Sequence, residues 1–160
     1  LSVFTIVIIL FITRIMVRNL EWREPLKFYQ NEIAHYQNSV RVYNQIGTIY
    51  LEKGQSGRAV ESLQKAIKLD GSGLVPQARF NLGLAYEQFG QPKKAVHSYF
   101  LTLEIKHNAT QALEALARLY GNDPAISTRF SLLAQAAKNG NEISREQIYE
   151  IYDMLFPPNE

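Results

Sequence analysis

The 160-residue chain contains no cysteine. This absence excludes a disulfide framework, thiolate zinc sites, iron–sulfur clusters and cysteine nucleophiles. The chain also has almost as many acidic as basic residues, so its formal net charge is only +2. Residues 1–27 hold four basic and two acidic residues, whereas residues 28–160 hold thirteen of each. The chain therefore lacks the basic face that nucleic-acid binding requires, and we expect no nucleic-acid partner.

Residues with catalytic or metal-binding potential are few. His35, His97 and His107 form no His-x-x-x-His or Glu-x-x-His pair, and the sequence has no Gly-x-Ser-x-Gly elbow. The segment Gly71–Gly73 is followed by no Lys-Ser/Thr pair, so it is interpreted as a loop rather than a phosphate cradle. We expect no enzymatic activity in this chain, no metal site and no cofactor.

One apolar run stands at the start of the chain. Residues 1–13 read LSVFTIVIILFIT, without a charge, and about 17 apolar residues are available when those after Arg14 are included. A membrane span needs ~20 such residues, but a span that begins upstream of Leu1 could supply the remainder. The charges follow the run, and no small-residue cleavage site is present, which argues against a signal peptide. The pattern favours a transmembrane helix over residues 1–18, in contact with membrane lipid, and leaves a buried core helix as the alternative.

A repeated pattern occupies the middle of the chain. Residues Asn44–Tyr50 (NQIGTIY) are similar to Phe80–Tyr86 (FNLGLAY), with their central glycines 36 positions apart. A second glycine follows each of these by seven positions and an alanine by twelve, and a weaker third copy includes Leu116–Tyr120. This period and spacing resemble the tetratricopeptide repeat, a pair of antiparallel helices. The resemblance implies an all-α fold, a right-handed helical solenoid.

The copies depart from that family in part. Tyr43, Arg79 and Leu113 replace its opening tryptophan, Ala117 replaces the third glycine, and the closing proline is missing. Small residues are nevertheless expected where the helices of a pair touch, since helix axes lie only about 8–10 Å apart there. Tyrosines fill the space beside them, and a second glycine ends the first helix. The expected structural set is Gly47, Tyr50, Gly54, Ala59, Gly83, Tyr86, Gly90, Ala95, Ala117 and Tyr120.

The remaining segments extend this repeat array at both ends. The stretch Ser144–Gln147 resembles a capping box that opens a final helix, and Pro157 and Pro158 are expected to stop that helix. The predicted organisation after the apolar span is a linker and half-repeat helix at 19–39, three repeats over 40–139 (40–75, 76–109 and 110–139), and a C-terminal capping helix and tail at 140–160.

The junction after the apolar run carries a second resemblance. Arg18-Asn19, two further residues and Trp22 look like the junction in multi-span membrane glycosyltransferases that use lipid-linked sugars and end in a tetratricopeptide tail. The resemblance implies that catalysis lies upstream of Leu1 and that the repeats are extracytoplasmic. The basic residues after the run favour the cytoplasmic side instead, by the positive-inside rule. Trp22 can equally be an interfacial anchor, and both localisations stay open here.

In the tetratricopeptide family the first helices line a concave groove. Only Asn81 matches the lysine, arginine and asparagine set by which one subset grips a C-terminal carboxylate, so that clamp is not expected. Phe80 and Leu84 form the apolar centre, and the alternative for Phe80 is packing inside the fold. A polypeptide is the expected ligand. The predicted groove residues are Arg41, Asn44, Thr48, Gln77, Phe80, Leu84, Glu87, Gln111 and Arg118.

Three functions are compatible with these patterns. The leading hypothesis is a membrane-anchored tetratricopeptide scaffold that binds a partner protein in its groove. The second is an accessory C-terminal tail of a membrane glycosyltransferase. The third is a subunit of a bacterial envelope assembly, such as a pilus or secretion apparatus.

Overall fold

A computed structural model describes residues 3–22, 25–36, 38–72 and 75–156 of the chain. All regular secondary structure within these ranges is α-helical, and the prediction of an all-α fold is confirmed. The helices are α1 (Val3–Trp22), α2 (Pro25–His35), α3 (Val40–Glu52), α4 (Ser56–Leu69), α5 (Pro76–Gln88), α6 (Pro92–Ile105), α7 (Thr110–Leu119), α8 (Pro124–Lys138) and α9 (Arg145–Leu155).

Helices α3 to α8 form three consecutive pairs. The first helices α3, α5 and α7 pack on the second helices α4, α6 and α8, and each second helix also packs on the next first helix. The chain turns tightly between α3 and α4 and between α5 and α6, because Gly54 and Gly90 adopt φ values of +69° and +72°. These left-handed conformations are open to glycine at little cost. The result is an array of consecutively stacked helix pairs, a solenoid.

In each of the first two helix pairs, a glycine of the first helix packs against a large side chain of the second helix. Gly47 of α3 faces Leu63 of α4, and Gly83 of α5 faces Tyr99 of α6. A Cβ atom at Gly83 would lie 2.4 Å from Cε1 of Tyr99, and one at Gly47 would lie 2.5 Å from Cγ of Leu63. Both large partners are fully buried. The glycines therefore allow the close approach of the helices on which the core depends.

Helix α9 closes the far end of the array by packing on α6. The ring of Tyr152 lies 4.9 Å from that of Phe100 of α6, and the ring of Phe130 of α8 lies 5.9 Å from the same phenylalanine. The helix begins with a complete capping box at Ser144 and Gln147. Phe100 thus joins three helices in one aromatic cluster. Pro157 and Pro158, which were expected to stop this helix, lie outside the described residues.

The predicted transmembrane helix is not found. Helix α1 leaves apolar side chains such as Phe4 and Phe11 exposed, at 80% and 67%. In the described part of the chain, no helix combines the length and apolar character needed to cross a bilayer. Arg14 and Arg18 lie within α1 and interrupt its apolar run, and charged side chains are costly inside the hydrocarbon core of a bilayer. The prediction of a span over residues 1–18 is therefore wrong, and so is the membrane localisation inferred from it.

The junction resemblance rests on three residues in the last turns of α1. The side chains of Arg18, Asn19 and Trp22 lie outside the part of the structure that is described. The backbone continues as helix through these positions to the end of α1.

Candidate functional site

The predicted groove residues lie on the three first helices, which we term the first-helix face (α3, α5 and α7). Helices α3 and α5 also contact each other directly on this side of the array. The residues are distributed as Arg41, Asn44 and Thr48 on α3, Gln77, Phe80, Leu84 and Glu87 on α5, and Gln111 and Arg118 on α7.

A cleft of about 280 Å³ opens between α5 and α7, and we term it the α5–α7 cleft. It brings together three predicted groove residues, with Gln77 and Phe80 on one wall and Gln111 on the other. Its floor is the end of α6, which lies between the two first helices in sequence. The full lining is Pro76, Gln77, Phe80, Thr102, Lys106, Asn108, Ala109, Thr110, Gln111 and Ala112.

Sequence reasoning missed the contribution of the second helix to this cleft. Thr102 and Lys106 come from the end of α6 and from its C-cap, and neither belongs to a first helix. The signal that could have found Lys106 is the short connection to Thr110, where α7 begins. A connection this short forces the end of one helix to lie beside the start of the next.

Phe80 faces the cleft on one side and the core on the other. It is half-buried and packs against the main hydrophobic core, and its ring centroid lies 5.6 Å from that of Tyr99. Leu84, one turn further along α5, is also half-buried against the core. The apolar centre predicted for the groove is therefore shared with the interior of the fold.

A polar network occupies the contact between α3 and α5. The buried side chain of Asn81 donates from Nδ2 to Oδ1 of Asn44 at 3.1 Å and to Oγ1 of Thr48 at 3.2 Å. Its Oδ1 accepts from Nε2 of Gln77 at 3.2 Å. These bonds satisfy a buried amide that would otherwise cost about 1–3 kcal/mol. Asn44 and Thr48 thus serve the packing of two first helices.

Glu87 and Arg118, both predicted groove residues, bind each other. Nη2 of Arg118 lies 2.8 Å from each carboxylate oxygen of Glu87, and the hydroxyl of Tyr99 donates to Oε1 of Glu87 at 2.6 Å. Burial and this hydrogen bond raise the pKa of Tyr99 far above its ordinary value. The same carboxylate, as a hydrogen-bond partner, raises the pKa of Arg118. This cluster joins α5, α6 and α7 beyond the cleft.

Arg41 lies apart from these residues. It lines a separate cleft of about 500 Å³ between α2 and α3, beside the aromatic side chains of Phe28, Tyr29 and Tyr36. The predicted groove set is thus divided among the α5–α7 cleft, two interhelical polar clusters, the core contact of Leu84 and this second cleft.

One protein family combines this glycine spacing with stacked helix pairs. A family model for the tetratricopeptide repeat matches residues 44–110, from within α3 to the first residue of α7. Residues 44–110 are tetratricopeptide repeats. The resemblance read from the sequence is confirmed for this region. The third pair, α7 and α8, extends beyond the matched residues, so its assignment as a repeat stays a prediction.

Solved structures of tetratricopeptide type share this arrangement of helices. A crystal structure of MamA superposes with a TM-score of 0.66 at 20% identity, covering 72% of this chain and 67% of that one. A second structure, MamA MSR-1 C2, gives a TM-score of 0.63 at 19% identity over 78% of this chain and 71% of that one. Likeness at these identities shows the fold alone. No curated protein matches the chain.

Proposed function

We propose that the tetratricopeptide array is a scaffold whose first-helix face binds a polypeptide, with the α5–α7 cleft as the principal contact. The observation that carries the proposal is the convergence of Gln77, Phe80 and Gln111 in one cleft formed by adjacent first helices. Tetratricopeptide arrays generally act as protein-interaction scaffolds rather than as catalysts, and extended or helical peptides are natural ligands for such grooves.

The composition of the cleft supports a peptide as its ligand. Phe80 offers a half-buried aromatic surface, and aromatic side chains are frequent hot spots of protein interfaces. Gln77 and Gln111 are exposed on the opposite walls, and their amides can pair with the backbone groups of an extended chain. A volume of about 280 Å³ suits one or two side chains of a peptide rather than a large cofactor.

The experiment uses a displayed library of random dodecapeptides selected on the full chain. Enriched peptides are synthesised, and their binding is measured by fluorescence anisotropy. Gln111→Trp places a bulky ring at the wall of the cleft, and we expect it to weaken binding at least about tenfold. Because Gln111 is exposed, its replacement should leave the thermal unfolding midpoint almost unchanged.

Gln135→Trp is the matched control. Gln135 is an exposed residue of α8 that does not line the cleft, so the same change in size there should leave peptide affinity intact. Peptides that bind Gln111→Trp as tightly as the unmodified chain would place the binding surface elsewhere. Failure to enrich any peptide would overturn the proposal as a whole.

A further inference from the structure

We propose that the α5–α7 cleft recognises a carboxylate of its peptide ligand through Lys106, next to an apolar ligand side chain on Phe80. This inference rests on the proposed function and adds the charge of the ligand to it. The carboxylate can come from an aspartate or glutamate side chain or from the C-terminus of the peptide, since the chemistry of the group is the same.

The charges around the cleft favour an anion. Among the described residues that line it, Lys106 alone carries a charge. The acidic residues of the neighbouring first helices already have partners, since Glu87 pairs with Arg118 and Glu114 pairs with Lys138. Within the described ranges, Lys106 has no ion-pair partner at 4.0 Å or less. The cleft therefore presents one uncompensated positive charge.

The fold fixes the backbone position of Lys106 at the edge of the cleft. The backbone N–H of Lys106 donates to the carbonyl of Thr102 at 2.9 Å, and its carbonyl accepts from the N–H of Ala109 at 3.0 Å. The backbone of Lys106 is thus held at both ends of the turn between α6 and α7, while the residue itself stays exposed. Phe80 lines the same cleft, and a ligand side chain packed on its apolar surface would exclude water from one side of an ion pair formed there, which strengthens the pair.

A single cation of this kind suits a peptide carboxylate better than a nucleic acid. Nucleic-acid binding depends on several Lys or Arg side chains that follow successive phosphates, and the lining of the cleft supplies one. The half-buried Phe80 lines the same cleft as Lys106 and favours an apolar ligand side chain. A peptide with an acidic residue next to an aliphatic one can contact both residues at once.

The test is a pair of parallel selections from the dodecapeptide library, one on the unmodified chain and one on Lys106→Glu. The unmodified chain should enrich peptides rich in aspartate and glutamate, or with an essential free C-terminus. The variant should enrich lysine and arginine. A peptide selected on the unmodified chain should bind the variant about tenfold more weakly, because charge reversal replaces attraction with repulsion.

Lys93→Glu is the control for net charge. It changes the total charge by the same amount at an exposed position in the first turn of α6, at the opposite end of that helix from Lys106. It should leave the enrichment and the affinity unchanged. Equal effects of Lys93→Glu and Lys106→Glu would show a general charge effect and overturn the inference.

Synthetic variants of the enriched peptide separate the two sources of the carboxylate. Loss of binding on amidation of the C-terminus assigns the terminal carboxylate, and loss on glutamate-to-glutamine exchange assigns a side chain. Peptides that are sensitive to Gln111→Trp but indifferent to Lys106→Glu would overturn this inference and leave the proposed function standing. If the library yields no peptide at all, both fail.

Discussion

Arg118 of α7 and Glu87 of α5 form an ion pair in which one guanidinium nitrogen, Nη2, lies 2.8 Å from both carboxylate oxygens. The hydroxyl of Tyr99 on α6 donates to the same carboxylate. One acidic side chain therefore links the first helices of two neighbouring pairs with the second helix between them. This link lies where the recognisable repeats give way to the weaker third copy.

The Glu87–Arg118 pair should contribute modestly to stability. A double-mutant cycle of Glu87→Ala and Arg118→Ala should give a coupling energy of about 0.5–1 kcal/mol, since the arginine is 61% exposed and the glutamate 20%. Chemical denaturation with urea measures this energy, which should fall in about 1 M salt. The pair Arg129–Glu150, with both partners more exposed than Glu87, is the control and should couple more weakly. Equal coupling in the two pairs would contradict this ranking.

The stability of the fold should decline in alkaline solution because of Tyr99. Burial, followed by its hydrogen bond to Glu87, raises the pKa of this tyrosine in the folded chain above the ordinary value of 10.0. Its contribution is thus fully present below pH 10 and is lost as the pH rises further, because the unfolded chain releases the proton first.

The measurement is the free energy of unfolding in urea between about pH 8 and pH 11. Tyr99→Phe should lower stability at neutral pH by about 1 kcal/mol and should make the alkaline decline shallower. A decline of the same slope in both proteins would show that another group causes it.

Gly83→Ala should destabilise the fold by about 1–3 kcal/mol. The added Cβ would lie 2.4 Å from the ring of Tyr99, which is fully buried and therefore cannot move aside easily. Gly57→Ala is the control, because its Cβ would meet Phe89 at an ordinary 3.8 Å. That change should be neutral or stabilise by up to ~1 kcal/mol, as alanine does in helices. Thermal unfolding of both variants gives the comparison, and equal midpoints would mean that α5 and α6 do not touch at Gly83.

Phe80→Ala should lower the free energy of unfolding by about 1–3 kcal/mol, because the ring packs on Tyr99 as well as facing the cleft. Phe89→Ala, at the C-cap of the same helix, should cost less, since Phe89 is 51% exposed. Urea denaturation measures both. A variant at Phe80 as stable as the unmodified chain would show that the ring does not support the core.

Local pattern was sufficient to identify the helix pairs. The small residues at Gly47 and Gly83 and the turn glycines Gly54 and Gly90 have roles that depend only on chain geometry within one repeat. Such roles recur at a fixed spacing, and spacing is visible in a single sequence. The capping box at Ser144 is likewise a contact between residues three positions apart.

Contacts between repeats were not visible in the same way. The sequence indicated that Glu87, Arg118, Asn44 and Thr48 lie on first helices, but not that they bind each other or Asn81. Pairing across 31 to 37 positions depends on the rotation and spacing of neighbouring helices, which no periodic pattern encodes. The span predicted over residues 1–18 was wrong for a different reason, because Arg14 interrupts the apolar run of α1 and no described helix is apolar enough over its length to cross a bilayer.

The sequence by itself therefore determined the fold class, the helix pairing and the tetratricopeptide character, because each follows from contacts that are local and repeated. Only the tertiary structure decided which first-helix residues remain available to a ligand. It placed Lys106 from a second helix beside Phe80 and Gln111, and it engaged Glu87 with Arg118. The physical reason is that a binding surface consists of side chains left over after packing, and packing between repeats is complete only in three dimensions.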